Sequence, residues 1–199
     1  MSIILKDELW KSLKHHDDSN RLVITPILDK NQVGDSSIDV RLGNEFIVIH
    51  KTRFPGLDFG EQDDLAKNLN KYQRKIRIEY KTPFVLHPSQ LVLGSTLEYI
   101  KLPENIAAYV IGRSSLGRMG LIVATATAIA PGYCGSPTLE IVNMGEIPIT
   151  VYPGIRIAQL VFHRGSGESC YTGKHRCATG PEFSKIFKDQ DLKKWIPKA

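Results

Sequence analysis

The sequence predicts a mainly β chain, a sandwich, jelly roll or distorted barrel, with one helix at the N-terminus and a short one near the C-terminus. Three observations predict it. Short apolar runs, several alternating with polar residues, recur from residue 36 to residue 163. Pro83, Pro88, Pro103, Pro131, Pro148 and Pro153, several beside Gly or a polar residue, punctuate them. Among the runs from residue 76 to residue 163 only residues 114–120 look helical, so the strand–helix alternation of a parallel sheet is missing.

The elements follow in order. Leu5, Leu9, Trp10 and Leu13 share one helical face within residues 5–16, and Asp17-Asp18-Ser19-Asn20 ends that helix. Arg21-Leu22-Val23-Ile24-Thr25-Pro26 reads as a short strand stopped by proline. Ile38, Val40 and Leu42 alternate with Asp39 and Arg41, and a further strand, residues 45–50, follows Gly43-Asn44. Asp39 and Arg41 lie two apart on a strand, share a face and are expected to pair as a structural or subunit contact. Residues 54–70 are polar and irregular, an excursion loop with one helical turn at 63–69. Further strands are expected at 76–80, 84–86, 91–99, 106–111, 137–143, 149–152 and 156–163. In the run 181–196, Phe183, Ile186, Phe187, Leu192 and Trp195 have mostly helical spacing. That run reads as a docked helix, or as a tail that orders on a ligand or neighbouring subunit.

At 199 residues the chain has the length of one domain, 1–199, with about 165–199 as a flexible or ligand-ordered tail. Hydrophobic residues at 42% and charged residues at 24% exclude a disordered chain. No apolar run approaches the ~20 residues of a membrane span, and the first eight residues lack a signal-peptide layout, so a soluble cytoplasmic protein without a membrane partner is expected. The net charge of +5 is scattered apart from residues 71–81 and 185–198, which reads as solvated faces and argues against nucleic acid. It also suits an anionic small ligand, which needs only a few focused cations. Cys134, Cys170 and Cys177 cannot all pair and lack zinc-ligand spacing, so neither a disulfide framework nor a structural zinc is expected.

Two segments carry the chemistry. Gly112-Arg113-Ser114-Ser115-Leu116-Gly117-Arg118-Met119-Gly120 puts two arginines, two hydroxyls and three glycines directly after a strand. Glycine lets backbone amides approach a ligand, and an arginine fork fits phosphate; the plain alternative is a Ser-capped helix with surface arginines. In the second, Glu140 interrupts an apolar strand, with Leu139 and Ile141 on one face and Thr138, Glu140 and Val142 on the other. A carboxylate on a partly buried face can pass a proton near neutrality, whereas one facing solvent has no such role. The tail 165–181 carries Tyr171, Lys174, His175 and Arg176 on glycine-rich chain, either a basic loop that closes over an anion or a linker.

Taken together and in order, these segments resemble the dCTP deaminase branch of the trimeric dUTPase-like superfamily. The resemblance rests on Asp35-Ser36-Ser37-Ile38-Asp39-Val40-Arg41-Leu42-Gly43, the arginine–serine segment 112–121, Ala130-Pro131-Gly132-Tyr133-Cys134-Gly135 with Thr138-Leu139-Glu140, and the stretch 147–160. It implies a distorted β-barrel or jelly-roll-like dUTPase-type fold, assembled as a homotrimer with sites at subunit interfaces. It also implies zinc-free hydrolytic deamination of dCTP to dUTP and ammonia, with Mg²⁺ carried on the triphosphate. Residue by residue, it makes Glu140 the general acid/base and gives Ser114 and Arg118 the attacking water. The substrate-binding set it implies is Arg113, Ser114, Ser115, Leu116, Gly117, Arg118, Thr138, Leu139, Glu140, Tyr171 and Lys174. The zinc-dependent deaminases are a separate chemistry, and their His-x-Glu and Pro-Cys-x-x-Cys patterns do not occur.

The chain departs from the family pattern in three places. Between Val123 and Pro131 it is one residue shorter and has no His; Ala130 stands where Asp is usual, and Ala178 where a phosphate-contacting Gln is usual. Two alternatives therefore stand beside deamination: a catalytically silent nucleotide-binding paralogue and a dUTPase-like diphosphatase.

Overall fold

β1 (Ser2–Ile3) forms a sheet edge by pairing with His163 and Arg164. α1 (Lys6–Leu13) follows, with Asp7 and Glu8 in the first turn, where the helix dipole favours carboxylates, and Leu9 fully buried. Next come β2 (Val23–Thr25), a 3-10 turn at Lys30–Gln32, β3 (Ile38–Arg41), β4 (Glu45–Ile49), β5 (Gln73–Arg77), β6 (Phe84–Leu86), β7 (Leu91–Ser95), β8 (Tyr99–Lys101) and β9 (Ile106–Gly112). α2 (Ser114–Gly117) leads into β10 (Leu121–Val123), β11 (Ala128–Ile129), β12 (Cys134–Gly135), β13 (Thr138–Asn143), β14 (Ile149–Val151) and β15 (Arg156–Arg164). A second 3-10 turn (Ile186–Lys188) and α3 (Gln190–Trp195) come last. This computed structural model describes residues 2–50, 56–59, 67, 69, 71–124 and 128–195. Most of the helical turn expected at 63–69, most of the loop 54–70 and residues 125–127 lie outside the described residues; of that turn, residues 67 and 69 are described and helical.

The strands are mainly antiparallel neighbours in four sheets. One runs β1-β15-β9-β11 with β3 also on β15, a second β10-β13-β7-β4-β5, a third β12-β8-β2, and a fourth β14-β6. The mainly β expectation holds. The barrel does not: among the described residues no sheet closes on itself, because strands of two to nine residues stop at Gly and Pro turns before a ladder can wrap round. The inward faces of the sheets meet in one cluster that includes Val40, Phe46, Val92, Leu139, Ile141, Leu160 and Phe162, with Phe46 stacked on Phe84 at 4.4 Å.

Local expectations shift for physical reasons. The strand expected at 91–99 is two strands, β7 and β8. Between them the chain turns inward, Thr96 Oγ1 donates to the Glu98 carbonyl at 2.7 Å, and the Glu98 carboxylate accepts from the Arg41 amide and Gln32 Nε2, each at 2.8 Å. The strand expected at 76–80 lies at 73–77, because its partner β4 ends opposite Arg77. Asp39 does not pair with Arg41. It takes Arg156 Nη1 at 3.0 Å and Gln159 Nε2 at 3.2 Å from the facing strand β15, while Arg41 Nη1 donates to the Gly154 carbonyl at 2.9 Å. Cross-strand neighbours won over residues two apart on one strand. The C-terminal run is helical only in the 3-10 turn and α3, and Trp195, placed on its apolar stripe by spacing, is 73% exposed.

Candidate active site

β13 is two-faced. Leu139 and Ile141 are fully buried in the core, whereas Thr138, Glu140 and Val142 are partly exposed on the opposite face. Pairing with β7 sets Glu140 opposite Leu93, and pairing with β10 lets the Ala124 amide donate to the Glu140 carbonyl at 2.8 Å. The Glu140 side chain points into a cavity of about 680 Å³, which Thr138 also lines. Among the described residues its carboxylate has no hydrogen bond or ion pair from another side chain.

The opposite wall is the tail, folded back on the body. Tyr171 lines the cavity with its amide bonded to the Pro131 carbonyl at 2.9 Å and its ring 5.6 Å from that of Tyr133. Burial, then the neighbouring Tyr171, pushes the Tyr133 hydroxyl well above its ordinary value, so that hydroxyl stays protonated. Further along, the Cys177 amide donates to the Cys134 carbonyl at 2.6 Å and the Ser136 amide to the Ala178 carbonyl at 2.7 Å. The Glu182 amide then donates to Thr138 Oγ1 at 3.1 Å, which fastens the tail two residues from Glu140.

Three basic side chains, Lys174, His175 and Lys185, line the same cavity. Glu182 Oε2 lies 2.5 Å from His175 Nδ1 and 2.7 Å from Lys185 Nζ, and Lys185 also donates to the Lys174 carbonyl at 2.7 Å. Burial alone would raise the Glu182 pKa, but Lys185 and His175 outweigh it and hold the carboxyl below its ordinary value. The result is a concave, largely apolar site with Glu140 on one side and Lys174, His175 and Lys185 beside Glu182 and Asp189 on the other, a shape and polarity suited to a ligand with an uncharged ring and a polar end.

Thr138, Glu140, Tyr171 and Lys174 are therefore brought together, as are Ala130 and Ala178. Leu139 is fully buried in the core and does not line the cavity. Arg113, Ser114, Ser115, Leu116, Gly117 and Arg118 do not line this cavity. They form the one-turn helix α2, with Arg113 in the capping position and no side-chain cap; the Ser-cap reading is not what forms. Ser114, Ser115 and Arg118 are exposed, and Arg113 Nη1 donates to the Arg156 carbonyl at 3.3 Å. The turn returns through Gly120, whose carbonyl takes the Met144 amide at 2.8 Å, four residues along from Glu140 and so roughly 13 Å of strand away. Within one chain the arginine–serine turn does not line the cavity that Glu140 lines.

Glu182, Lys185, Tyr72 and Gln73 also line the cavity and carry no motif in the sequence. The Glu182–Lys185 spacing of three was the one available signal, and it reads equally as a surface pair. Among the described residues no three His, Cys, Asp or Glu side chains are grouped to hold a metal ion, and no helix is long and apolar enough to cross a membrane.

A sequence model described as dCTP deaminase-like matches residues 7–165. A protein of Methanosphaera stadtmanae named dCTP deaminase, dUMP-forming, is 38% identical over 190 residues, covering 92% of this chain and 94% of its own. One of the same name from Dictyoglomus thermophilum is 41% identical over 192 residues, covering 92% and 95%. The crystal structure of 2'-deoxycytidine 5'-triphosphate deaminase from Agrobacterium tumefaciens superposes with a TM-score of 0.60 at 24% identity, over 82% of this chain and 48% of that one, a likeness of fold. This chain thus spans about half the length of that Agrobacterium chain. With a family match over most of its length and relatives of about 40% identity along nearly all of it, the chain belongs to the dCTP deaminase-like family of enzymes.

Proposed function

We propose that the chain hydrolytically deaminates a cytosine deoxynucleoside triphosphate, most simply dCTP to dUTP and ammonia, with Glu140 as the proton carrier. The observation that carries this reading is the unpaired Glu140 carboxylate inside the cavity, held on β13 by core neighbours on either side. Water adds at C4 of the cytosine while Glu140 accepts its proton; the same carboxyl then delivers a proton to the departing amine. The basic cluster of Lys174, His175 and Lys185 supports a place for the phosphate end, and Mg²⁺ enters as part of the substrate, on the triphosphate. Tyr133 and Tyr171 offer the apolar surface on which sugar and base rest.

Ser114 and Arg118, to which the resemblance gives the attacking water, and Arg113 and Ser115, which belong to the substrate-binding set it implies, sit outside this cavity. A site that contains both them and Glu140 needs a second copy of the chain, which is what supports the homotrimer. An exposed turn rich in donors is a suitable contribution from a neighbour.

A second reading is favoured by the relatives' name: deamination followed by loss of diphosphate, leaving dUMP. Ala130 weighs against it, because the methyl group in the cavity wall supplies no carboxylate to direct water at phosphorus. A panel of dCTP, CTP, dCMP and dUTP with Mg²⁺, followed for ammonia and for diphosphate, tests all of this. Ammonia alone from dCTP supports dUTP formation, ammonia with diphosphate supports dUMP formation, and diphosphate from dUTP alone marks a diphosphatase. No ammonia from any cytosine nucleotide overturns the deaminase, and calorimetric binding without turnover then identifies a silent paralogue.

A further inference from the structure

Three cysteines that the proposed chemistry does not use sit beside the cavity wall. Cys134 lies on β12 and Cys177 on the returning tail, and their Sγ atoms are 2.7 Å apart while both thiols are free. The backbones are already joined there. The Cys177 amide donates to the Cys134 carbonyl at 2.6 Å, and Gly135 and Ala178 form a parallel bridge. Cys177 has a φ of 61°, the left-handed region that a residue with a Cβ adopts only under strain, so its side chain is delivered to Cys134 by an enforced backbone conformation. Cys177 is exposed and Cys134 half-buried, so both are open to a small reagent.

We propose that Cys134 and Cys177 form a reversible disulfide that pins the tail against β12 and so fixes the wall of the cavity carrying Tyr171, Lys174, His175 and Ala178. An approach of about 0.7 Å separates the present contact from an S–S bond of about 2.04 Å, between two segments whose backbones are already hydrogen-bonded at the same residues. The oxidant is a small-molecule disulfide of the glutathione class. The Cys134 thiolate attacks one of its sulfurs, forming a mixed disulfide and releasing one thiolate. Cys177 then gives up its proton and its thiolate attacks the Cys134 sulfur, expelling the second small thiolate; the two protons released by the protein thiols end on the two small thiolates, so two protein thiols have reduced one small disulfide to two thiols. Cys134 suits the first step. Burial would raise its pKa, but Cys177, Tyr99 and the Arg176 guanidinium facing it outweigh that and lower it. Cys170, on the far side of Gly132, is the thiol left over. In the reduced chain the tail is held by backbone bonds that open and close; in the oxidised chain Cys177 cannot leave, so exchange between cavity and solvent slows. None of this depends on which nucleotide the cavity takes.

The test uses the full chain, equilibrated with excess glutathione disulfide or with excess dithiothreitol, then alkylated and mapped by mass spectrometry. The expected result is a linked pair of peptides containing Cys134 and Cys177 with Cys170 alone alkylated, and three alkylated cysteines after dithiothreitol. The link persists in Cys170→Ser and is lost in Cys177→Ser. Tryptic cleavage after Lys174 is expected to be roughly tenfold slower in the oxidised chain than in the reduced one, with no difference in Cys177→Ser. Three alkylatable cysteines in excess glutathione disulfide, or a link through Cys170, overturns the pairing. Equal cleavage of oxidised and reduced chain overturns the pinning.

Discussion

Thr138 holds Glu182: the side-chain oxygen of the first residue of β13 accepts the backbone amide of the tail at 3.1 Å, two residues before the acid assigned to proton transfer. The two walls of the cavity are thus joined beside Glu140, and the returning tail and Glu140 are positioned by the same strand. Replacing Thr138 by Val keeps the shape and removes the acceptor. A neutral hydrogen bond contributes about 0.5–1.5 kcal/mol, so the KM for dCTP should rise by about three- to tenfold with kcat changed less. Hydrogen exchange at the Glu182 amide should quicken in parallel; unchanged exchange would show that this bond does not hold the tail.

Glu140→Gln should leave the fold intact and stop the chemistry. The side chain is half-buried and makes no bond to another side chain among the described residues, so stability should hold within about 0.5 kcal/mol. Ammonia release from dCTP should fall by about 100-fold or more, since an amide cannot accept and return the proton. Denaturant midpoints and an ammonia assay on the same preparation separate the two effects.

Glu98 should make stability depend on pH. It is fully buried, and although the Arg41 amide and Gln32 partly compensate, burial dominates and raises its pKa above the ordinary 4.5. Between 4.5 and the raised value the folded chain holds a proton that the unfolded chain has lost, so stability falls as pH rises through that window and levels off above it. Glu98→Gln should flatten this slope in urea titrations between pH 4.5 and neutrality. It should also cost about 1–3 kcal/mol, because its amide nitrogen turns a donor toward a donor.

Gly120→Ala should destabilise the turn that carries Arg118. At φ +89° an added Cβ would lie 2.6 Å from the Gly145 nitrogen, a backbone atom that cannot swing away. A loss of about 1–3 kcal/mol is expected in urea unfolding. Deamination should fall further than stability accounts for, because the arginine–serine turn is displaced.

Glu140 and Thr138 were legible because strand alternation is a local property: Leu139 and Ile141 announce the buried face, and parity assigns the rest. Strand 84–86 was legible for the same kind of reason, and so was the first helix, expected within 5–16 and formed over 6–13. Glu182 and Lys185 were not, since what places them in the cavity is the return of the tail across more than forty residues of chain to meet Thr138. The split between β7 and β8 was hidden too, because Glu98 turns inward only to reach the Arg41 amide, a partner that no neighbouring residue reveals. Asp39 chose Arg156 over Arg41 by sheet pairing, which one strand alone does not show.

The even–odd division of β13 sets separate rules for two kinds of change. Substitutions at 138 and 140 change the lining of the cavity and leave the hydrocarbon packing untouched, whereas those at 139 and 141 act on folding first. A shift of pairing by a single residue would exchange the two sets at once, sinking a carboxylate into oil and setting leucine in the cavity. The ladders to β7 and β10 on either side therefore guard chemistry and solidity together.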